Sequence, residues 1–151
     1  MILHWQWLRF GQLGLDDLYD AIALRERVFV VEQNCPYQDA DGLDRCAWHL
    51  LGRDAHGTLQ ALLRVVDPGR KYAEPSIGRV VTAPEVRGSG AGRALMVQGL
   101  DRCAAAWPGQ GIRISAQAHL QRFYASLGFE PVGAVYLEDD IAHLEMFRKV
   151  P

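Results

Sequence analysis

The sequence predicts an α/β protein in which a mixed β-sheet is covered by helices, and three observations carry that prediction. Apolar runs of β-type residues alternate with helix-forming stretches in the order β, α, three β, α, β, α, β, β, the pattern of a sheet packed under helical layers. Gly88, Gly90 and Gly92 stand between a β-type run and a helix-forming run. Finally, the 151 residues, 49% hydrophobic and 23% charged, suit a single domain over residues 1–151, long enough to bury roughly 68–70% of its unfolded surface.

Ile2 to Phe10 reads as the first strand, with Trp5 and Trp7 on one face, packing either a core or a dimer contact. Asp16 or Asp17 can cap a helix running to about Val30, whose Leu15, Leu18, Tyr19, Ile22, Val28 and Phe29 fit a one-sided apolar stripe. A Pro/Asp/Gly-rich loop spans Asn34 to Asp44. Cys46 to Arg53 and Thr58 to Val66 form a hairpin about the turn Asp54-Ala55-His56-Gly57. Ile77 to Thr82 is the fourth strand. The next helix runs from about Gly92 to Ala106, with Leu95, Met96 and Leu100 at core spacing, and stops before Pro108 and Gly109. Ile112 to Ala116 is a short buried strand. His119 to Leu127 is a helix closed by Gly128, and Val132 to Leu137 and Ile141 to Arg148 close the sheet.

Composition excludes several functions. A formal net charge of −2 gives no strong positive field for nucleic acid. Cys35, Cys46 and Cys103 are odd in number, widely spaced and form no Cys-x-x-Cys pair, which argues against a metal site or a disulfide framework. The N-terminus lacks the charged start and apolar centre of a signal peptide, and no apolar run is long enough to span a membrane. On these features a cytoplasmic protein is expected.

The segment Val80-Val81-Thr82 through Arg87-Gly88-Ser89-Gly90-Ala91-Gly92-Arg93 is the most informative. Unpaired N–H groups at a helix start face an anion, the helix dipole adds attraction, and glycine removes the Cβ atoms that would hold phosphate oxygens away. Arg87 and Arg93 add cations. The run lacks the Lys-Ser/Thr pair of a P-loop and the spacing and distant acidic residue of a dinucleotide fingerprint. A phosphate ligand of another kind is expected.

Arg87-x-x-Gly90-x-Gly92, Phe123-Tyr124-Ala125-Ser126-Leu127-Gly128-Phe129 and the order of elements resemble the GNAT N-acetyltransferases over essentially the whole chain. Val30 to Asp39, Ala116 to Gln121, and Val135 to Ile141 with His143 resemble the ElaA-like branch. The resemblance implies a sheet splayed between the fourth and fifth strands with flanking helices, and acetyl-CoA as cosubstrate with no metal. The backbone of Val80, Val81 and Thr82 would pair with the pantetheine arm, and the N–H groups from Arg87 to Arg93 would hold the pyrophosphate. Tyr124 would protonate the departing thiolate. Gln117 stands where the family often has asparagine, and Ile77-Gly78-Arg79-Val80-Val81 lacks the carboxylate that many relatives carry as general base.

The base must therefore lie elsewhere. An alkyl amine with a pKa of about 10.4 is neutral in only about one molecule in a few thousand at pH 7, so some group must take its proton. Glu32, after the first helix, and His143, on the last strand, are the candidates, each with a structural alternative: a solvated helix end for Glu32, a backbone contact for His143. Arg64 and Arg79 read as salt-bridging residues, and His119 as a capping or packing group. Asp39 to Asp44 has the wrong spacing for a calcium loop. With Glu138, Asp139 and Asp140 it could form an acidic rim that favours a cationic amine. The acceptor would be a small-molecule or peptide amine. A non-catalytic acyl-CoA sensor of the same fold is the alternative, and a nucleotide-binding protein a third.

Overall fold

The computed structural model describes residues 1–150. Its elements follow the expected order: β1 (His4–Arg9), α1 (Leu15–Arg25), β2 (Ala47–Arg53), β3 (Leu59–Val66), β4 (Ser76–Thr82), α2 (Ala91–Ala106), β5 (Ile112–Gln117), α3 (Gln121–Ala125), β6 (Glu130–Glu138) and β7 (Ile141–Arg148). The ladders form two antiparallel sheets, β1-β2-β3-β4 and β5-β7-β6. β4 and β5 both end a sheet, so the expected break falls between them. They meet at their starts, where the N–H of Arg113 donates to the carbonyl of Pro75 at 3.2 Å. The parallel component of the mixed sheet reduces to this juxtaposition.

β3 explains why the run Leu59 to Val66 is almost continuously apolar. Ala61, Leu63 and Val65 face Leu95 and Met96 of α2, while Leu62 faces Ala21 and Leu24 of α1. A strand covered on both faces loses the polar half of its alternation. α2 lies so near the sheet that a Cβ on Gly99 would fall 2.9 Å from a Leu63 methyl. Trp7 stacks on Trp48 at 4.9 Å between ring centroids, and Trp5 fills the space over Gly52. The alternating tryptophans thus pack on their own sheet.

The first helix departs from its expected form in three ways. Its N-cap is Gly14; Asp17 sits one turn in and accepts the Gly14 N–H at 3.0 Å, the reciprocal half of a capping box. Leu15 and Tyr19 are exposed, and the buried face is Ala21, Leu24, Arg25 and Val28, because an arginine with partners can occupy a core position. Beyond Arg25 the helix widens to a π-helix over Glu26–Glu32, with Gln33 N–H bonded to the carbonyl of Val28 at 3.1 Å. The last helix is likewise split: a 3-10 turn over Ala118–Leu120 precedes α3.

Arg25 of α1 and Arg64 of β3 are each only 2% exposed. With Arg79 of β4 they converge on the loop after the π-helix. Arg25 donates to Asp39 at 2.6 Å and to Asp44 at 2.9 Å. Arg64 donates to Asp41 at 2.8 Å and to Asp44 at 3.0 Å. Arg79 lies 2.8 Å from Asp39 and 3.3 Å from Asp41. The structural reading of Arg64 and Arg79 holds, and Asp39, Asp41 and Asp44 are neutralised by ion pairs with the three arginines, which corrects their place in an acidic rim. Burial alone would raise the Asp41 and Asp44 carboxyls, but the arginines outweigh it and hold both below the usual range.

Two outcomes are expected. Asp44→Asn leaves Arg25 and Arg64 short of a buried counter-charge and should lower the unfolding free energy by about 3 kcal/mol in urea titration. Because the folded-state pKa values lie below the unfolded value of about 3.9, the network's contribution is complete above roughly pH 5 and is lost as pH falls toward the folded values. Thermal stability of the wild type should therefore decline on acidification below about pH 5, and Asp44→Asn should flatten that decline.

Candidate active site

Where β4 and β5 diverge, a cavity of about 470 Å³ opens between the two sheets, within the range of small-molecule sites. One wall is β4, from Ile77 to Thr82, and the other is Ser115, Ala116 and Gln117 of β5. The π-helix contributes Val28, Phe29 and Glu32, its C-cap is Gln33, and α3 contributes Phe123 and Tyr124. A π-helical turn is uncommon outside functional sites; here it turns Glu32 and Gln33 toward one cleft.

β4 has a ladder partner on one edge only. Its pairing with β3 shifts register: Leu62 faces Val81 and Arg64 faces Gly78, so Arg79 and Val80 together oppose Leu63. This is a β-bulge. Arg79 takes φ 49°, an uncommon conformation for a bulky residue, and its side chain is held by Asp39. Arg79 and Val80 thus share Leu63 and have no one-to-one partner in the ladder, and Val80 borders the cavity.

The glycine loop enters from the end of β4. Gly88 and Gly90 have φ of 79° and 86°, which only glycine adopts without strain. The first intrahelical bond of α2 runs from Ala94 N–H to the carbonyl of Gly90 at 3.0 Å, so the N–H groups of Ala91, Gly92 and Arg93 precede the ladder. A Cβ built on Gly88, Gly90 or Gly92 meets nothing within 4 Å; the space beside the loop is open. Arg87 and Gly92 line the main cavity, whereas Ser89, Gly90 and Ala91 line a smaller hollow of about 300 Å³ on the side of Leu3 and Trp5. Ser89 Oγ donates to the Val86 carbonyl. Arg93 donates to Ser126 at 2.6 Å.

Residues 62–150 match the family model for the acetyltransferase (GNAT) domain. The chain belongs to the GNAT acetyltransferase family. It is 42% identical over 151 residues to protein ElaA of Escherichia coli, covering 99% of this chain and 98% of that protein. It is 44% identical over 151 residues to the Synechocystis protein UPF0039 sll0451, covering 100% and 98% respectively. The crystal structure of an acyl-CoA N-acyltransferase from Pseudomonas aeruginosa matches with a TM-score of 0.92 at 44% identity, covering 97% of this chain and 99% of that one.

The GNAT cavity gathers the three catalytic candidates unequally. Tyr124 is 6% exposed, borders the cavity and has its pKa pushed up to about 12 by burial alone, so it keeps its proton at neutral pH. His143 is buried, with Nδ1 donating to the Ile141 carbonyl at 2.7 Å and Nε2 lying 3.3 Å from Glu138 Oε2. Glu32 is ion-paired with Arg87 at 2.7 Å on the rim, both half exposed. Gln117 donates to Gln33 at 3.4 Å across the cleft. Glu138, expected only as part of a rim, is the partner of His143, and Lys71 joins the lining from the β3–β4 connection. A lysine in a Gly/Arg/Tyr-containing turn carries no sequence signal that separates it from a solvated one. His119 is an exposed residue of the 3-10 turn that borders the cavity. Cys35 donates to the Asp139 carbonyl at 3.2 Å and Tyr37 to the Asp140 carboxylate at 2.6 Å; both tie the Asp-rich loop to the β6–β7 turn.

Gly92→Glu separates ligand binding from folding. Gly92 is not in the left-handed region and its Cβ position is open, while glutamate in the first turn of α2 suits the helix dipole. The variant should melt within a few degrees of the wild type, and calorimetric CoA binding should fall by at least tenfold. Unchanged CoA affinity would remove the loop from the site.

Proposed function

We propose that the protein transfers the acetyl group of acetyl-CoA to a primary amine by direct attack, with both substrates bound together. The observation that supports this most is the unpartnered edge of β4 running into the open glycine loop along one cavity. The residues present fit acetyl-CoA: the free edge of Val80, Val81 and Thr82 accepts the pantetheine arm as an added strand, and the N–H groups of the Arg87–Arg93 loop accept the pyrophosphate. Bound there, acetyl-CoA supplies an activated acyl carbon, and no covalent enzyme intermediate is needed.

The chain's own groups then have defined tasks. The N–H of Val80 donates to the thioester carbonyl oxygen as charge develops on it. Tyr124 gives its hydroxyl proton to the thiolate, which prevents the reverse attack. The amine must lose a proton at a cost of roughly 4–5 kcal/mol at pH 7. Nε2 of His143, 3.3 Å from the Glu138 carboxylate, accepts that proton, directly or through water. With Nδ1 committed to the Ile141 carbonyl, Nε2 is the ring atom that exchanges protons. Glu32 neutralises and orients Arg87 beside the phosphates when it is not itself the base.

Mixing the protein with acetyl-CoA and a panel of primary amines should release free thiol in proportion to N-acetylated product. CoA binding without thiol release across the panel would favour the sensor alternative. Tyr124→Phe should lower kcat by about tenfold or more while leaving the dissociation constant for CoA unchanged; full activity would take the proton-donor role from Tyr124.

A further inference from the structure

The charges around the cavity bear on the acceptor, given the reading of this cavity as the acetyl-transfer site. Four cations, Arg64, Lys71, Arg79 and Arg87, and four carboxylates, Glu32, Asp39, Glu138 and Asp139, line it. This is a balanced wall, unlike the acidic one a polycation would require. Pairing removes most of them: Arg87 holds Glu32, Arg79 holds Asp39, and Arg64 is bound to Asp41 and Asp44.

Lys71 remains. No carboxylate among the described residues pairs with its ammonium, which lies 5.7 Å from the Tyr72 ring centroid. The residue is exposed; desolvation lowers its pKa, Arg64 and Arg79 add to the lowering, and Glu138 and Asp41 oppose it. The remaining anionic groups, Glu138 and Asp139, stand at the β6–β7 end of the cavity.

We propose that the acceptor is a zwitterion, an amine that itself bears a carboxylate, as a free amino acid or a short peptide does. Glu138 receives its ammonium group, and the unpaired ammonium of Lys71 receives its carboxylate. Acetyl transfer forms the N–C bond and breaks the C–S bond. The ammonium gives one proton to the Glu138–His143 pair before attack; the thiolate takes a proton from Tyr124, and the second proton, released by the nitrogen as the tetrahedral adduct collapses, restores the tyrosine. The product keeps its carboxylate and loses its positive charge, so its attraction to Glu138 disappears and release follows.

The test compares matched acceptors: a set of L-amino acids and dipeptides, their C-terminal amides, simple alkylamines and a polyamine, each with wild type, Lys71→Gln and Lys71→Arg. The wild type should use the carboxylate-bearing member of each pair with a kcat/KM about tenfold or more above its amide, as expected for a charge-assisted contact. Lys71→Gln should bring that ratio near one by raising KM for the acid, and Lys71→Arg should restore most of it. Amino acids against dipeptides then distinguish the two sources of zwitterion. In a parallel binding readout without acetyl-CoA, the preferred acid should raise the melting temperature of the wild type more than its amide does. Equal use of acids and amides, better use of the polyamine, acetylation of Lys71 itself, or an unaltered ratio in Lys71→Gln would overturn the proposal and leave acetyl transfer standing. Absence of thiol release with every amine would overturn both.

Discussion

Two buried arginines, a half-buried third and three aspartates organise the half of the molecule that carries the cavity. Arg25, Arg64 and Arg79 come from α1, β3 and β4, and Asp39, Asp41 and Asp44 come from one loop. Charges of this kind are tolerated in an interior only when each finds its partner. The network therefore admits one position of the loop and one position of α1 against the sheet. Everything beyond α1 inherits that position: the π-helical turn, Glu32 with its hold on Arg87, and Gln33 across from Gln117. The far end of the same loop is fastened by Cys35 and Tyr37 to the β6–β7 turn, so the loop joins the two sheets that β4 and β5 leave apart.

The same network bears on the strain in β4. A non-glycine residue in the left-handed region costs on the order of 1–3 kcal/mol and persists only where its surroundings require it. Arg79 has such a requirement, because its guanidinium reaches both the side chain and the backbone carbonyl of Asp39. Straightening the strand would pull a cation off its counter-ion. The bulge follows from a side-chain pairing on one face, and its consequence appears on the backbone: Arg79 and Val80 have no one-to-one partner in the ladder beside the cavity. A strand fully paired on both edges would offer nothing to an extended ligand.

Local patterns made the elements readable. The two-faced apolar run of β3, the Asp54 turn and the glycine loop each depend on neighbours in sequence, and each lies within a residue or two of its expected bounds. The break between β4 and β5 followed from resemblance to a family, since nothing in either strand's composition forbids pairing. What was not legible depended on distant partners. Arg25 in a helix reads as a surface residue until Asp39 and Asp44 are brought to it. The stripe containing Leu15 and Tyr19 looked sufficient because an arginine was not counted as a core residue. The bulge beside Gly78 had a sequence signal in that interior strand glycine, but nothing showed that Arg79 would be the residue to take the left-handed backbone. His143 was visible as a candidate, but its pairing with Glu138 arises from the β6–β7 hairpin register, which sets Glu138 opposite Ile141.

Charge neutralisation inside the fold also determines how the cavity discriminates. Six charges cancel within the network, so their long-range field largely vanishes. The field at the acceptor end is then governed by the few charges left over, Lys71, Glu138 and Asp139, with Glu138 close enough to act on Lys71. In a partly desolvated cleft with an effective dielectric near 20, a unit charge at 4 Å contributes about 4 kcal/mol, against about 1 kcal/mol in bulk water. One lysine can therefore alter ligand preference by more than an order of magnitude without touching the reacting atoms. The acidic composition of the Asp39–Asp44 loop and the electrostatic character of the site above it are consequently different quantities: the loop's charge is consumed in holding the architecture, and specificity falls to the residues the architecture does not need.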